Sequence, residues 1–251
     1  MSDPVSRVGV VGADGPLGSR LRDAVRTADG RVVSPASADV VVAVGDDAIR
    51  DSTLDRPARG TGILPVRDGP HAVDRPAAPD AVRRLLDGGG ERVSHPVLSI
   101  VVDGDPVGRA VFDVGFVTTE PARISEYAVE LPDDRTETVR ADGVVVATPF
   151  GSTGYASAAG GPRLEPGSGL SIVPIAPFTT RSDTWVVADG FGVSVERDAE
   201  PVSLVVDGSP HEMVAPGHPI RIEAAERIDV VVPSRGHTPD PRTDRKGSNN
   251  S

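Results

Sequence analysis

The sequence predicts an α/β amino-terminal domain on a Rossmann-like open sheet, followed by a carboxy-terminal all-β-rich domain. Three observations predict it. The apolar run at residues 7–11 passes through a glycine turn (GADGPLG, residues 12–18) into Leu17, Leu21, Ala24, Val25 and Ala28, which share one face at helical spacing. Residues 39–44 (DVVVAV) are almost wholly apolar, as a parallel strand buried on both faces must be. From Arg92 onward the pattern changes to short β-branched runs punctuated by Asp-Gly pairs, which are hairpin turn signals.

Taken in order, the first strand and turn lead to a helix over residues 17–28 and a short strand at 31–33. The turn is spaced G-x-x-G-x-x-G rather than G-x-G-x-x-G, and no acid follows the next strand. It therefore reads as the first βα connection of an open sheet, with a classical nicotinamide site as the weaker alternative. The strand at 39–44 ends in Gly45-Asp46-Asp47-Ala48. An acid just beyond the carboxyl end of such a strand is a site candidate. The alternative for Asp46 is a plain N-cap, for a helix beginning near Ala48. Residues 55–78 are rich in Pro, Gly and Arg, with a short strand and turn near 60–65. A helix over 80–86 ends in Gly88-Gly89-Gly90, which reads as a hinge. This divides the chain into an α/β domain (1–88), a β-rich domain (92–232) and a disordered tail (233–251), polar and poor in apolar residues. Within the β-rich domain, strands are expected at 97–102, 123–131, 170–175, 201–206, 220–224 and 228–232, with turns at Asp103-Gly104, Asp133-Asp134 and Asp207-Gly208.

The 251 residues are 38% hydrophobic but only 3% aromatic, so the cores must be built from Val, Ala, Leu and Ile. There is no Cys, which excludes disulfides and thiolate metal sites and fits a reducing cytoplasm. The five His show no metal-ligand spacing, and Lys246, the sole lysine, supplies no G-K-[ST] phosphate loop. A net charge of −11 argues against nucleic-acid binding, which needs a basic footprint. No signal peptide or run of about 20 apolar residues points to a membrane. An acidic, lysine-poor surface is expected of a halophilic cytoplasm, where salt screens its self-repulsion. An ordinary acidic cytosolic protein from a high-GC genome is the alternative.

The most informative stretch is residues 142–162, DGVVVATPFGSTGYASAAGGP. A β-branched run breaks at Thr148-Pro149, where Pro149 cannot donate to a ladder. Gly151 and Gly154 let backbone N–H groups approach a ligand, and Ser152, Thr153 and Tyr155 add hydroxyls. A strand running into a glycine–hydroxyl loop and then a small-residue helix is a way to hold a nucleotide or phosphate. A tight turn between two core elements is the alternative.

The run TPFGSTGYASAAGGP resembles the signature of the NAD kinase family, in which TPTGSTAY is followed by SAGGP. Further segments resemble the family more loosely. VGDDA (residues 44–48) stands where the family has GGDGT, so Gly45 and Asp46 match while Val44, Asp47 and Ala48 differ. In AVFDVGFV (110–117), Asp113 falls on the acid of A-L-N-[DE]-V, and Phe112 replaces its asparagine. Residues 176–187 follow a P-H-x-L-x-x-R-P segment in outline, with Phe178 at the histidine and Arg181 near the arginine. Asp207-Gly208 matches a family D-G turn.

The resemblance implies a ligand cleft between the two domains, in a homodimer or homotetramer whose neighbouring subunits contribute to the site. It implies phosphoryl transfer from ATP or polyphosphate to the adenosine 2′-hydroxyl of NAD, giving NADP, with Mg²⁺ travelling with the nucleotide. Asp46 would be the general base. Thr148, Ser152, Thr153 and Tyr155 would hold the adenosine half, and Asp113 the other half. The altered loop and Phe112 also fit a nucleotide-binding relative that has lost catalysis. An oxidoreductase built on the residue 12–18 turn is a third reading, against which the TPFGSTGY loop weighs.

Overall fold

The structure is a computed structural model and describes residues 5–55, 60–69, 72–88, 90–119, 124–132, 134–179, 183–197 and 201–232. The proposed tail, Gly89 of the triglycine, Arg123, Asp133 and Arg181 lie outside the described residues.

The first half contains β1 (Arg7–Val11), α1 (Gly15–Thr27), β2 (Arg31–Val32), β3 (Val40–Val44), α2 (Asp46–Leu54), β4 (Gly62–Val66) and α3 (Ala78–Leu86). Its strands are parallel, in the order β2-β1-β3-β4. Alternation along β3 sends Val40, Val42 and Val44 toward α1 and α3, where they meet Leu21, Val25, Val82 and Leu85. Ala43 turns to the opposite face, beneath Ile49 of α2. Pro65 sits within β4 although it has no N–H. The last strand pairs with β4 only at Ile63, so no partner strand asks Pro65 for a donor, and its carbonyl accepts from Val73 N at 2.9 Å.

The second half contains β5 (Glu91–Val102), β6 (Asp105–Ala110), β7 (Asp113–Val117), β8 (Ser125–Glu130), β9 (Thr136–Ala141), β10 (Gly143–Ala147), α4 (Tyr155–Ala158), β11 (Leu170–Ile175), β12 (Trp185–Val187), β13 (Gly190–Arg197), β14 (Val202–Val206), β15 (Ser209–Val214) and β16 (Ile220–Val232). One sheet, β12-β11-β10-β7-β14-β15, is antiparallel. The other continues the parallel sheet of the first half through β16, which lies parallel to β4 and antiparallel to β5 and β13. Alternate residues of the two sheets, among them Leu98, Ile100, Tyr127 and Val129 against Val144, Val146, Ile172 and Leu204, form the large core between them. Each such side chain contributes about 1.5–3 kcal/mol of burial.

The α/β and β-rich halves match the expected fold class. Two details differ from the sequence expectation. Residues 220–224 and 228–232 are one strand: the chain bulges once, at Ala225, and the polar Glu226-Arg227 stretch stays paired with β5 opposite Val97 and Pro96. β5 begins at Glu91, six residues before the expected strand, because β16 runs beside it for its whole length. Both Asp-Gly turns have positive φ at both residues, as two-residue hairpins of this type require. No helix among the described residues is long and apolar enough to cross a membrane.

Gly12 is where β1 must pass under α2. A methyl group there would stand 2.3 Å from the Val44 carbonyl oxygen and 2.5 Å from Ala48 Cβ, whereas Gly15, with a similar φ, faces open space. Gly12→Ala is therefore expected to cost about 2–4 kcal/mol of stability and Gly15→Ala about 1 kcal/mol. Urea unfolding of both variants checks this, and equal costs would contradict the packing role of Gly12.

Candidate functional site

Four chain segments meet at the carboxyl ends of β3, β4 and β10 and at the entry to β7. The first is Gly45-Asp46. Gly45 has φ 90° and its N–H is spent on the Val66 carbonyl at 3.0 Å. Gly45 is the N-cap and Asp46 the first residue of α2, so the side chain of Asp46 is not the cap that was its structural alternative. It is 60% exposed, and its Oδ1 meets Arg67 Nε at 3.0 Å.

The second segment carries Arg67, the residue after β4. Its side chain is only 16% exposed. The guanidinium carbon lies 4.9 Å from the centre of the Phe112 ring, a cation–π contact, and Nη1 reaches the Phe150 carbonyl at 3.5 Å. Sequence reasoning did not single out Arg67. The signal was present: it is the first charged residue after a buried parallel strand, the same rule that selects Asp46. The short strand and turn expected near residues 60–65 stop at Pro65, whereas β4 runs on to Val66 and so puts Arg67 just beyond its carboxyl end.

The third segment is Val111-Phe112-Asp113, clamped on both sides. The Asp207 carboxylate accepts from Val111 N at 3.0 Å, Phe112 N at 2.7 Å and Asp113 N at 3.1 Å. The Thr148 hydroxyl lies 2.8 Å from the Val111 carbonyl oxygen and 3.1 Å from that of Phe112. Phe112 is buried; its ring is 6.2 Å from that of Phe150, which stacks on the buried ring of His95 at 3.9 Å. Phe112 thus fills a core position and supports Arg67. Burial pushes Asp207 above the usual carboxylate range, against the pull of the three amides and of Arg50. Burial, then the charge of Asp207, lifts Asp113 to about 6; Arg67 opposes the rise and Asp46 adds to it.

The fourth segment is the loop at residues 148–155. A Cβ on Gly151 would stand 2.0 Å from the Phe112 carbonyl oxygen, so only glycine lets the loop press onto the clamped segment. The Ser152 hydroxyl is buried: it donates to the Pro149 carbonyl at 2.8 Å and accepts from Leu164 N at 3.0 Å. Thr148 and Ser152 therefore spend their hydroxyls inside the protein. Thr153 is half-buried and Tyr155 is 49% exposed. A Cβ on Gly154 would lie 3.9 Å from Asp113 Oδ2, and one on Gly69 would lie 3.3 Å from Thr153 Oγ1. The loops after β4 and β10 are thus in contact.

The structure brings Gly45, Asp46, Asp113, Gly151 and Thr153 to this junction, with Thr148, Ser152 and Asp207 as its internal frame. A cleft of about 650 Å³ opens beside it, lined by Gly45, Asp46, Arg67, Asp68 and Arg75. Asp47 is set apart. It pairs with Arg50 at 2.9 Å and lines a separate, largely apolar hollow of about 640 Å³ with Val11, Pro35 and Ala48.

Fold and site define the class: an α/β sheet continued into a β-rich half, with a charged cleft where the strand ends and the glycine–hydroxyl loop converge. The profile of the ATP-NAD kinase C-terminal domain matches residues 112–234. An NAD kinase of Thermoplasma acidophilum is 30% identical over 202 residues, 77% of this chain and 73% of the relative. An NAD kinase of Methanopyrus kandleri is 38% identical over 131 residues, 51% of this chain; the match spans about half (48%) of the relative's own length. The structure of an Archaeoglobus fulgidus NAD kinase in complex with ATP superposes with a TM-score of 0.64, at 23% identity, covering 89% of this chain and 92% of that one. A yeast NADH kinase complexed with NADH gives 0.69 at 15% identity, covering 93% and 85%. These two likenesses support the fold. The chain belongs to the NAD kinase family.

Because Asp113 is held at about 6 in the folded protein, above its ordinary 3.8, its burial favours the neutral form. Its contribution to stability is full below pH 3.8 and is lost as pH rises through 6. Asp113→Asn is expected to be more stable than the native chain at pH 7.5, by about 1–3 kcal/mol, with the gain vanishing toward pH 4. Denaturant unfolding across that range measures it; a gain independent of pH would contradict the assignment.

Proposed function

We propose that the chain is an NAD kinase, transferring a terminal phosphoryl group from ATP or polyphosphate to the adenosine 2′-hydroxyl of NAD. The observation that carries this reading is the junction of the Asp46 cleft with the TPFGSTGY loop and the Asp113 segment: Arg67 on the cleft wall meets the Phe112 ring and the Phe150 carbonyl, and Gly69 approaches Thr153, in a member of this family. Phosphoryl transfer requires mostly positioning and charge neutralisation. Asp46 accepts the hydroxyl proton. Asp113 orients the nicotinamide side, and Thr153, Tyr155 and the backbone of Gly151 contact the adenosine half. Thr148, Ser152 and Asp207 fix the frame, while Gly45 lets the chain turn beside the phosphates and Asp47, held by Arg50, lies at their periphery. Residues 1–88 and 92–232 serve as the two lobes, in a cytoplasmic, salt-adapted homo-oligomer.

Mg²⁺ fits as a companion of the nucleotide rather than a resident ion. Among the described residues no three His, Cys, Asp or Glu are grouped to cage a metal. A hard cation held by phosphate oxygens needs one or two carboxylates more, and Asp46 and Asp113 offer them. When bound it would offset phosphate charge.

One observation favours the second reading, a nucleotide-binding relative without catalysis: the Asp46 carboxylate is already engaged by Arg67. NADP formation from NAD, with ATP and polyphosphate in turn, Mg²⁺ and molar KCl, separates the two. The kinase reading predicts turnover that Asp46→Asn lowers by about 10²–10⁴-fold. Saturable NAD binding without turnover would establish the second reading instead.

A further inference from the structure

The amino end of α2 is an unusual place to receive a phosphate in this chain. Helix amino termini attract anions through their free N–H groups and dipole. Here the first turn carries two carboxylates, Asp46 and Asp47, and the Gly45 N–H is already bound to Val66. An anion entering the cleft meets Asp46 and Asp68 on its wall, in a protein whose net charge is −11.

Two arginines line the same cleft. Arg67 is held in place from three sides, by Asp46, the Phe150 carbonyl and the Phe112 ring. These contacts use Nε and Nη1; among the described residues, no partner takes the Nη2 donors. Arg75 lines the same cleft, its Nη2 3.8 Å from where a Cβ on Gly45 would stand. It is exposed and forms no ion pair among the described residues. An arginine fixed by an aromatic face and a carboxylate keeps its fork oriented, so little side-chain freedom is lost when it binds an oxyanion.

We propose that Arg67 and Arg75 form the phosphate-binding site of this cleft, taking the polyphosphate chain of the phosphoryl donor in place of a glycine-loop backbone. Arg67 does so without leaving Asp46: Nε neutralises the carboxylate and the Nη2 edge meets the phosphate. Arg75 supplies the second positive charge, from beside Gly45. The kinase reading identifies the anion as a phosphoryl donor, but the site itself requires only a polyphosphate.

Calorimetric titration of the full chain with inorganic tripolyphosphate, ATP and adenosine tests this. Arg75→Gln and Arg67→Gln are each expected to weaken tripolyphosphate and ATP by about tenfold or more, and to leave adenosine unchanged. Arg75 is at the surface, so its variant reports on binding even if Arg67→Gln perturbs the Phe112 packing. The inference is overturned if the native chain binds no tripolyphosphate, if Arg75→Gln binds it like the native chain, or if adenosine weakens in parallel with ATP. Failure to form NADP, with tripolyphosphate binding intact and arginine-dependent, would count against the kinase reading alone.

Discussion

Three consecutive amides, those of Val111, Phe112 and Asp113, point at the single carboxylate of Asp207, and the carbonyls of the first two point at the hydroxyl of Thr148. This two-sided clamp holds Val111 and Phe112, which lie between β6 and β7 outside any ladder, together with Asp113 at the start of β7. A buried backbone polar group left unpaired costs about 1–3 kcal/mol, so the segment has one arrangement in which every group is met. The rest of the site is built against it. Gly151 presses on the Phe112 carbonyl, the Phe112 ring carries Arg67, and Asp113 begins β7 beside Gly154. The turn at Asp207-Gly208 therefore does more than reverse the chain between β14 and β15.

The clamp also explains the electrostatics. Asp207 is half-buried, and its negative charge is spread over three amides rather than matched by a cation in contact. Its residual field acts on Asp113, which burial alone would already disfavour as an anion. Arg67 offsets part of this while engaging Asp46. Replacing a small polar side chain by Phe112 is compatible with the site because the ring is buried among Phe150 and its neighbours and offers its face to the guanidinium.

Much of the fold was legible in the sequence. The all-apolar run at β3, the helical spacing of α1 and the two Asp-Gly turns each carry a local signal that tertiary structure did not overturn. The Gly151–Tyr155 loop was legible for the same reason: glycine at a close approach has few other uses. Which hydroxyls face a ligand was not legible. Thr148 and Ser152 sit in the same motif as Thr153 and Tyr155, and only the packing of the loop on Phe112 and Leu164 turns the first two inward. Arg67 was missed because the short strand and turn expected near residues 60–65 end at Pro65, whereas β4 continues through it to Val66, where β16 no longer pairs and no donor is needed.

The most direct test of this account is native-state hydrogen exchange at Val111, Phe112 and Asp113 in the native chain and in Asp207→Ala. If Asp207 holds the segment, protection of these three amides falls by about 10–100-fold relative to Val145 and Val173 in the neighbouring strands β10 and β11. If all five amides lose protection equally, or none does, the segment is held by the surrounding sheet and the clamp is not what the site depends on.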